Sequence, residues 1–356
     1  MVAESAHRII GGMFGLELSG SLPGPGGDAP PAFLRGQHHL LATARSGLLL
    51  LARSLAPPQI WLPSYLCSVI VEAIRRSGSA VRFYAIDANL RIPHEDWLHE
   101  VRAGDLVVFI DYFGFNEWSN CGAEAMRRGA WIVEDACQAM LNEQFCQHSH
   151  YVICSPRKFF GLPDGGVLLA HAGARLPGCE LPPPPAEWWL EAFAASQLRA
   201  EFDRHGGDRK WFELFSKTDP AGPTEPFGMS ELSALLLNHR IDCAEAARRR
   251  RGNYRFLAAE LRDLAMFPDL PSGVVPLGFP VRLRDRDRVR HAMFRAEIYP
   301  PVHWPIAGVV PTDFKASHQL AAEIMTLPCD QRYTETEMSR MLDCLKAANP
   351  KSPPPA

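Results

Sequence analysis

Asp135, Gln138, Ser155 and Lys158 lie within one short span of the 356-residue chain, in WIVEDACQAM (131–140) and ICSPRKFFGLPDGGVLLA (153–170). Each stretch opens as an apolar, β-branched run and breaks into polar residues at its end. That is how a buried parallel strand reads when it delivers side chains to the carboxyl edge of a sheet. A lysine directly after such a strand, ahead of a Gly/Pro/Asp-rich turn, is partly desolvated, and a neutral amine is a nucleophile that condenses with aldehydes. Pyridoxal 5'-phosphate (PLP) carries such an aldehyde, and its pyridine nitrogen must hold a proton if the ring is to accept electrons. A buried carboxylate beside that nitrogen keeps the proton in place, and Asp135 can supply it. Gln138 can hydrogen-bond the ring oxygen, while Ser155 and the Gly165-Gly166 pair offer a hydroxyl and close backbone approach to a phosphate. Taken singly, each feature has a plainer use: an Asp caps a helix, an Arg-Lys pair is solvated, and Asp-Gly-Gly makes a turn. Their order in one passage is what points to chemistry.

EDACQA followed by SPRKFFGLPDGG resembles the cofactor core of the DegT/StrS aminotransferase family, fold-type-I PLP enzymes that aminate keto-sugars attached to nucleotides. The resemblance implies that Lys158 is the Schiff-base lysine and Asp135 the pyridinium partner, with Gln138 on the phenolic oxygen and Ser155 on the phosphate. Family members have a longer spacer between the serine and the lysine, where only Pro156 and Arg157 intervene here. Arg45, Ser46 and Gly47 stand where the family has a phosphate turn, at a helix start whose free amides favour an anion. The turn after QIWLP carries, in the family, a side chain that packs on the cofactor ring, which brings Tyr65 or Cys67 to that face. Aromatic stacking favours Tyr65 and the alignment favours Cys67. Tyr112 and Phe113, after the VVFI strand, match the family's aromatic-Gly segment, and YPPVHWP resembles a loop that faces substrate. Tyr112, Phe113, His303 and Trp304 are therefore expected to line the substrate pocket. MSELSALLL with RRRRGNYRFL resembles the helix pair leading to the small lobe, and LPCDQRYTETEM the closing strand, turn and helix. The family implies an amino-acid donor, a carbonyl acceptor and a homodimer.

Six strands alternating with helices between residues 60 and 170 predict an α/β fold: a large lobe with a mostly parallel sheet flanked by helices, and a smaller α+β C-terminal lobe. The expected division is an N-terminal arm over 1–37, a large PLP-binding domain over 38–245, a small domain over 246–347 and a disordered tail over 348–356. GSLPGPGGDAPPAF is expected to lie over the surface, and HHLLATARSGLLLLARSLA to form a helix preceded by a polar turn at Thr43 to Gly47. The four arginines at 248–251 read as a solvated helix face, and Thr334 with Glu337 as a capping box.

A net charge of −3 gives no reason to expect nucleic acid or an anionic membrane as a partner. No apolar run approaches the ~20 residues needed to span a bilayer, and the first residues lack the features of a secretory signal, so the cytoplasm is the expected location. Nine cysteines without a CxxC pair speak against a disulfide framework or a zinc site. The leading expectation is a PLP-dependent aminotransferase acting on a keto-sugar or a specialised-metabolite ketone. The alternatives are PLP chemistry of another type (elimination, decarboxylation, racemisation or carbon-carbon bond formation) and a non-catalytic dimeric binding protein of the same fold.

Overall fold

The computed structural model describes residues 8–17 and 32–349; the Pro/Gly passage ahead of Ala32 and the tail KSPPPA lie outside them. The chain runs through β1 (Ile10–Gly11), β2 (His38–Leu41), α1 (Ala44–Leu55), β3 (Gln59–Pro63), α2 (Ser68–Arg75), β4 (Ala80–Tyr84) and β5 (Leu106–Ile110). It continues with α3 (Ser119–Arg127), β6 (Trp131–Asp135), β7 (Tyr151–Cys154) and β8 (Gly166–Ala170). These give a seven-stranded sheet of order β2-β8-β7-β6-β5-β3-β4. The strands from β7 to β4 are parallel, while β8 and β2 close one edge antiparallel. The fold class is the expected one, and the apolar runs of β5 and β7 are buried throughout because helices and loops cover both sheet faces.

Two local expectations change. His38–Leu41, the start of the segment expected to form a helix entered through a turn at Thr43 to Gly47, is an edge strand paired with β8, and the helix begins at Ala44. Regular alternation with helices also fails three times, since 3-10 turns bridge β4 to β5 (Asp96–Glu100) and β7 to β8 (Pro156–Lys158) and only turns join β6 to β7. Gly166 explains why the edge can form. A Cβ there would run into the backbone of Thr43 and Ala44, where the β2–α1 junction crosses β8. Gly166→Ala should therefore cost about 2–4 kcal/mol, read as a lowered urea midpoint at unchanged slope.

The second half holds α4 (Ala186–His205), α5 (Lys210–Thr218), α6 (Glu231–His239) and α7 (Cys243–Leu261). After them come β9 (Phe279–Arg282), α8 (Arg286–Arg295), β10 (Ile298–Tyr299), α9 (Lys315–Glu323), β11 (Ile324–Leu327) and α10 (Glu335–Ala348). β9 and β11 pair antiparallel, and α7 runs straight through the expected boundary at 245/246. The Thr334 amide donates to the Glu337 carboxylate at 2.8 Å, so the capping box starts α10 as read.

The arginine run is not a uniformly solvated face. Arg248 and Arg249 do pair with Glu245 at the surface, but Arg250 is fully buried. Helical periodicity places it on the same stripe as Ala246, Asn253, Tyr254 and Leu257. It donates to the main-chain oxygens of Pro276 (3.2 Å), Leu277 (2.9 Å) and Phe159 (3.5 Å) and to Gln331 Oε1 (2.8 Å).

The described part of the N-terminal arm is locked in place. β1 pairs parallel with β10, and Ile9, Ile10, Phe14 and Leu16 are buried. Arg332 donates to the oxygens of Gly12 (3.2 Å) and Met13 (2.9 Å), and the Glu17 amide to Gly161 (3.1 Å). Burial pushes the Glu17 carboxyl up to about 7, against the pull of the Gly161 amide, Arg332 and Arg250. An acid raised in the folded state binds its proton more tightly there, so stability falls as pH rises from about 4.5 towards 7. Glu17→Gln should remove that loss. The variant is expected to match the wild type near pH 5 and to exceed it by on the order of 2 kcal/mol near pH 8, in paired denaturant melts.

Candidate active site

Parallel strands that end together bring their following residues to one edge. The registers Ile110↔Asp135 and Asp135↔Ile153 set the ends of β5, β6 and β7 side by side. Asp135 closes β6, and its Oδ1 accepts from the Cys137 amide at 3.0 Å. Lys158 ends a 3-10 turn (Pro156–Lys158) that follows β7 directly. It is half-buried, and its Nζ makes no hydrogen bond or ion pair among the described residues.

Two thiols locate the amine and the carboxylate relative to each other. Burial pushes Cys67 up, the Lys158 and Arg45 charges oppose that, and Asp135 adds to it. Burial likewise raises Cys137, with Asp135 reinforcing and Lys158 opposing. Both thiols feel both groups, so Lys158 and Asp135 lie in one neighbourhood at the carboxyl edge of the sheet.

Gln138 is buried at 1% exposure. Its Oε1 accepts from the Phe113 amide at 2.7 Å, which leaves Nε2 without a partner. A buried amide donor left unpaired costs on the order of 1–3 kcal/mol, and a ligand acceptor would recover it. Ser155 begins the lysine turn without spending its hydroxyl on a cap. Arg45 lies in the first turn of α1, where Thr43 is the N-cap. The Ser46 hydroxyl donates to the Thr43 oxygen at 2.6 Å and is fully buried; Gly47 packs against Leu41 and Leu168. At this turn, the Thr43 hydroxyl accepts from the Ser46 amide, and the groups left for an anion are the other first-turn amides and the Arg45 guanidinium. Gly166 is likewise committed to its crossing with Thr43 and Ala44 rather than to a ligand.

Burial separates Tyr65 from Cys67. Tyr65 has no exposed surface, its main-chain oxygen accepts from the Tyr112 hydroxyl at 2.5 Å, and its ring packs on Tyr112 and Trp304. Cys67, the half-buried N-cap of α2, is the one in the Lys158–Asp135 field. Tyr112 and Phe113 are core aromatics, at 4% and 0% exposure. His303 packs edge-on against Phe113 at 5.7 Å, and its Nδ1 meets Thr326 Oγ1 at 2.9 Å. Burial, with a smaller push from Lys158, brings its imidazole down to about 3, so it is a neutral group near neutral pH. Trp304 is buried beside Tyr65 and Tyr112.

Three features escaped the sequence reading. Asp111 and Glu134 form a buried carboxyl pair behind Asp135; burial drives both upward, and Trp118 Nε1 donates to Asp111 at 2.7 Å. Arg157, assigned no role by the sequence reading, pairs with Asp219 at 2.7 Å. Asp219 itself carried no local motif. Its position follows from α5 folding back towards α1, which no short-range pattern encodes.

These residues fit PLP. The unpaired Gln138 amide suits a ring oxygen, the unpaired amine of Lys158 an aldehyde, and Asp135 a ring nitrogen. Arg157, already holding the Asp219 carboxylate as a stand-in anion, and Arg45, donating to the Asp219 main-chain oxygen, suit a phosphate.

No family model and no curated protein sequence matches the chain. Solved structures do. A DegT DnrJ EryC1 StrS aminotransferase from Brucella abortus is 16% identical with a TM-score of 0.60, over 89% of this chain and 87% of that one. The aminotransferase TlmJ from Streptoalloteichus hindustanus is 19% identical with a TM-score of 0.62, over 88% and 85%. A Bacillus subtilis protein, NtdA, solved with the cofactor PMP bound, is 15% identical with a TM-score of 0.62, over 89% and 74%. The chain thus has the fold of the DegT/DnrJ/EryC1/StrS aminotransferases.

Proposed function

We propose that the protein is a PLP-dependent aminotransferase, a divergent relative of the DegT/StrS enzymes. It would move an amino group from an amino-acid donor to a carbonyl acceptor, a keto-sugar or a specialised-metabolite ketone. The observation that carries this reading is the meeting of an unpaired lysine, a strand-end carboxylate and an unsatisfied buried amide at one sheet edge. When bound, the cofactor supplies an aldehyde for amine exchange and a ring that accepts electrons. Asp135 holds a proton at the ring nitrogen, and Gln138 Nε2 donates to the ring oxygen. Ser155, the first-turn amides of α1, Arg45 and Arg157 hold the phosphate. Lys158 would hold the aldehyde through its amine and, when free, would carry the proton taken from the donor's carbon, as a general base and then a general acid. Neutral His303 can donate or accept a hydrogen bond without adding charge beside that amine. We also propose a homodimer, on the likeness of fold.

The test is a half-reaction: protein loaded with PLP, mixed with single amino acids, with released keto acid assayed. One equivalent of keto acid per site, followed by amination of an added ketone, is the expected outcome. Release of carbon dioxide or ammonia without amine transfer would shift the assignment to decarboxylation or elimination. No reaction with any donor, together with no cofactor binding, would favour a binding protein of the same fold.

A further inference from the structure

Arg157 and Arg45 converge on one acidic residue. Asp219 caps the C-terminal end of α5, and its Oδ1 accepts from Arg157 Nη2 at 2.7 Å. Its main-chain oxygen accepts from Arg45 Nη2 at 3.3 Å, and the next oxygen, that of Pro220, from Arg45 Nη1 at 3.5 Å. The same segment is tied to the helix cap, because Thr43 Oγ1 donates to the Pro223 oxygen at 2.7 Å. Burial alone would raise the Asp219 carboxyl, but the ion pair with Arg157 and the charges of Arg45 and Lys158 hold it below its ordinary value. One carboxylate therefore sits among three cations at the start of α1.

A phosphate at that helix start would need the same cations. A carboxylate and a phosphate dianion repel each other at contact distance, so both cannot hold Arg157 in its present geometry without loss. The side chain of Asp219 keeps 42% of its surface exposed, which leaves it room to turn towards solvent. Resting on the reading of this pocket as a PLP site, we propose that Asp219 is an internal competitor for the phosphate seat. Its carboxylate neutralises the Arg45–Arg157 pair when the seat holds no phosphate and gives up Arg157 when a phosphate arrives, so the 219–223 segment sets how tightly the cofactor is held.

A reporter lies next to the moving part: Trp188 Nε1 donates to the Thr218 oxygen at 2.9 Å. The test titrates cofactor-free wild type, Asp219→Asn and Arg157→Gln with inorganic phosphate and pyrophosphate by calorimetry, and with PLP by tryptophan quenching. Asp219→Asn should bind phosphate and PLP about tenfold tighter, as expected when a competing state is removed. Arg157→Gln should bind both about tenfold or more weakly. Phosphate should also change the wild-type fluorescence, and the change should vanish in Trp188→Phe. Unchanged or weaker phosphate binding in Asp219→Asn overturns the proposal, even if that variant still takes up PLP and turns yellow. Tighter phosphate binding in a protein that takes up no PLP would leave the anion seat standing and remove the cofactor assignment instead.

Discussion

Lys158→Ala is expected to leave a folded but colourless protein. The wild type, incubated with PLP, should turn yellow, and borohydride should fix the cofactor mass on the peptide bearing Lys158. The variant should show neither effect, and its turnover should fall by at least ~10⁴-fold, because it loses both the nucleophile and the proton carrier. The fold should tolerate the change, since the Lys158 amine makes no hydrogen bond or ion pair among the described residues. Near-native melting of Lys158→Ala, followed by circular dichroism, is the necessary control. A yellow Lys158→Ala whose cofactor is trapped on another residue would move the centre of the site elsewhere.

Asp135→Asn should separate binding from catalysis. The amide keeps the size of the side chain and can still accept from the Cys137 amide, but it carries no charge to keep a ring nitrogen protonated. An opposite charge at close range is worth one to three pH units on its partner, so the protonated fraction, and with it turnover, should fall by about 10- to 1000-fold. Cofactor affinity should fall far less. The clearest readout is the pH profile of single-turnover rates, where the variant should gain activity towards acid as protons in solution replace the lost carboxylate. An unchanged profile at wild-type rate would take Asp135 out of this role.

The parts of the fold that could be read in advance were those encoded over a few neighbouring residues. β6 stops at Asp135 because WIVED passes from apolar to acidic within one strand length, and Thr334 and Glu337 announce their helix three residues apart. What escaped is set by distant partners. His38–Leu41 is a strand only because β8 offers an edge and Gly166 lets α1 begin beside it; alone, it is four residues ahead of a strong helix. Arg250 reads as surface in a run of four arginines, and only the phase of α7 against the 276–277 and 331 segments buries it. The site divides along the same line. Lys158, Asp135 and Gln138 were legible in one passage, whereas Arg157 acquires its meaning from Asp219, sixty-two positions away. The full burial of Tyr65 was equally invisible, since it depends on packing against Trp304 and Tyr112 from distant segments.

The carbonyl of Phe159, the residue after Lys158, accepts from two side chains of the C-terminal half, Arg250 at 3.5 Å and Gln331 at 2.5 Å. Such a latch makes the lysine turn a shared property of both halves of the molecule. Loosening of the C-terminal half would release the reactive amine from its station before the central sheet melts, so loss of bound aldehyde on heating should precede global unfolding and coincide with the first protease nicks in the C-terminal half.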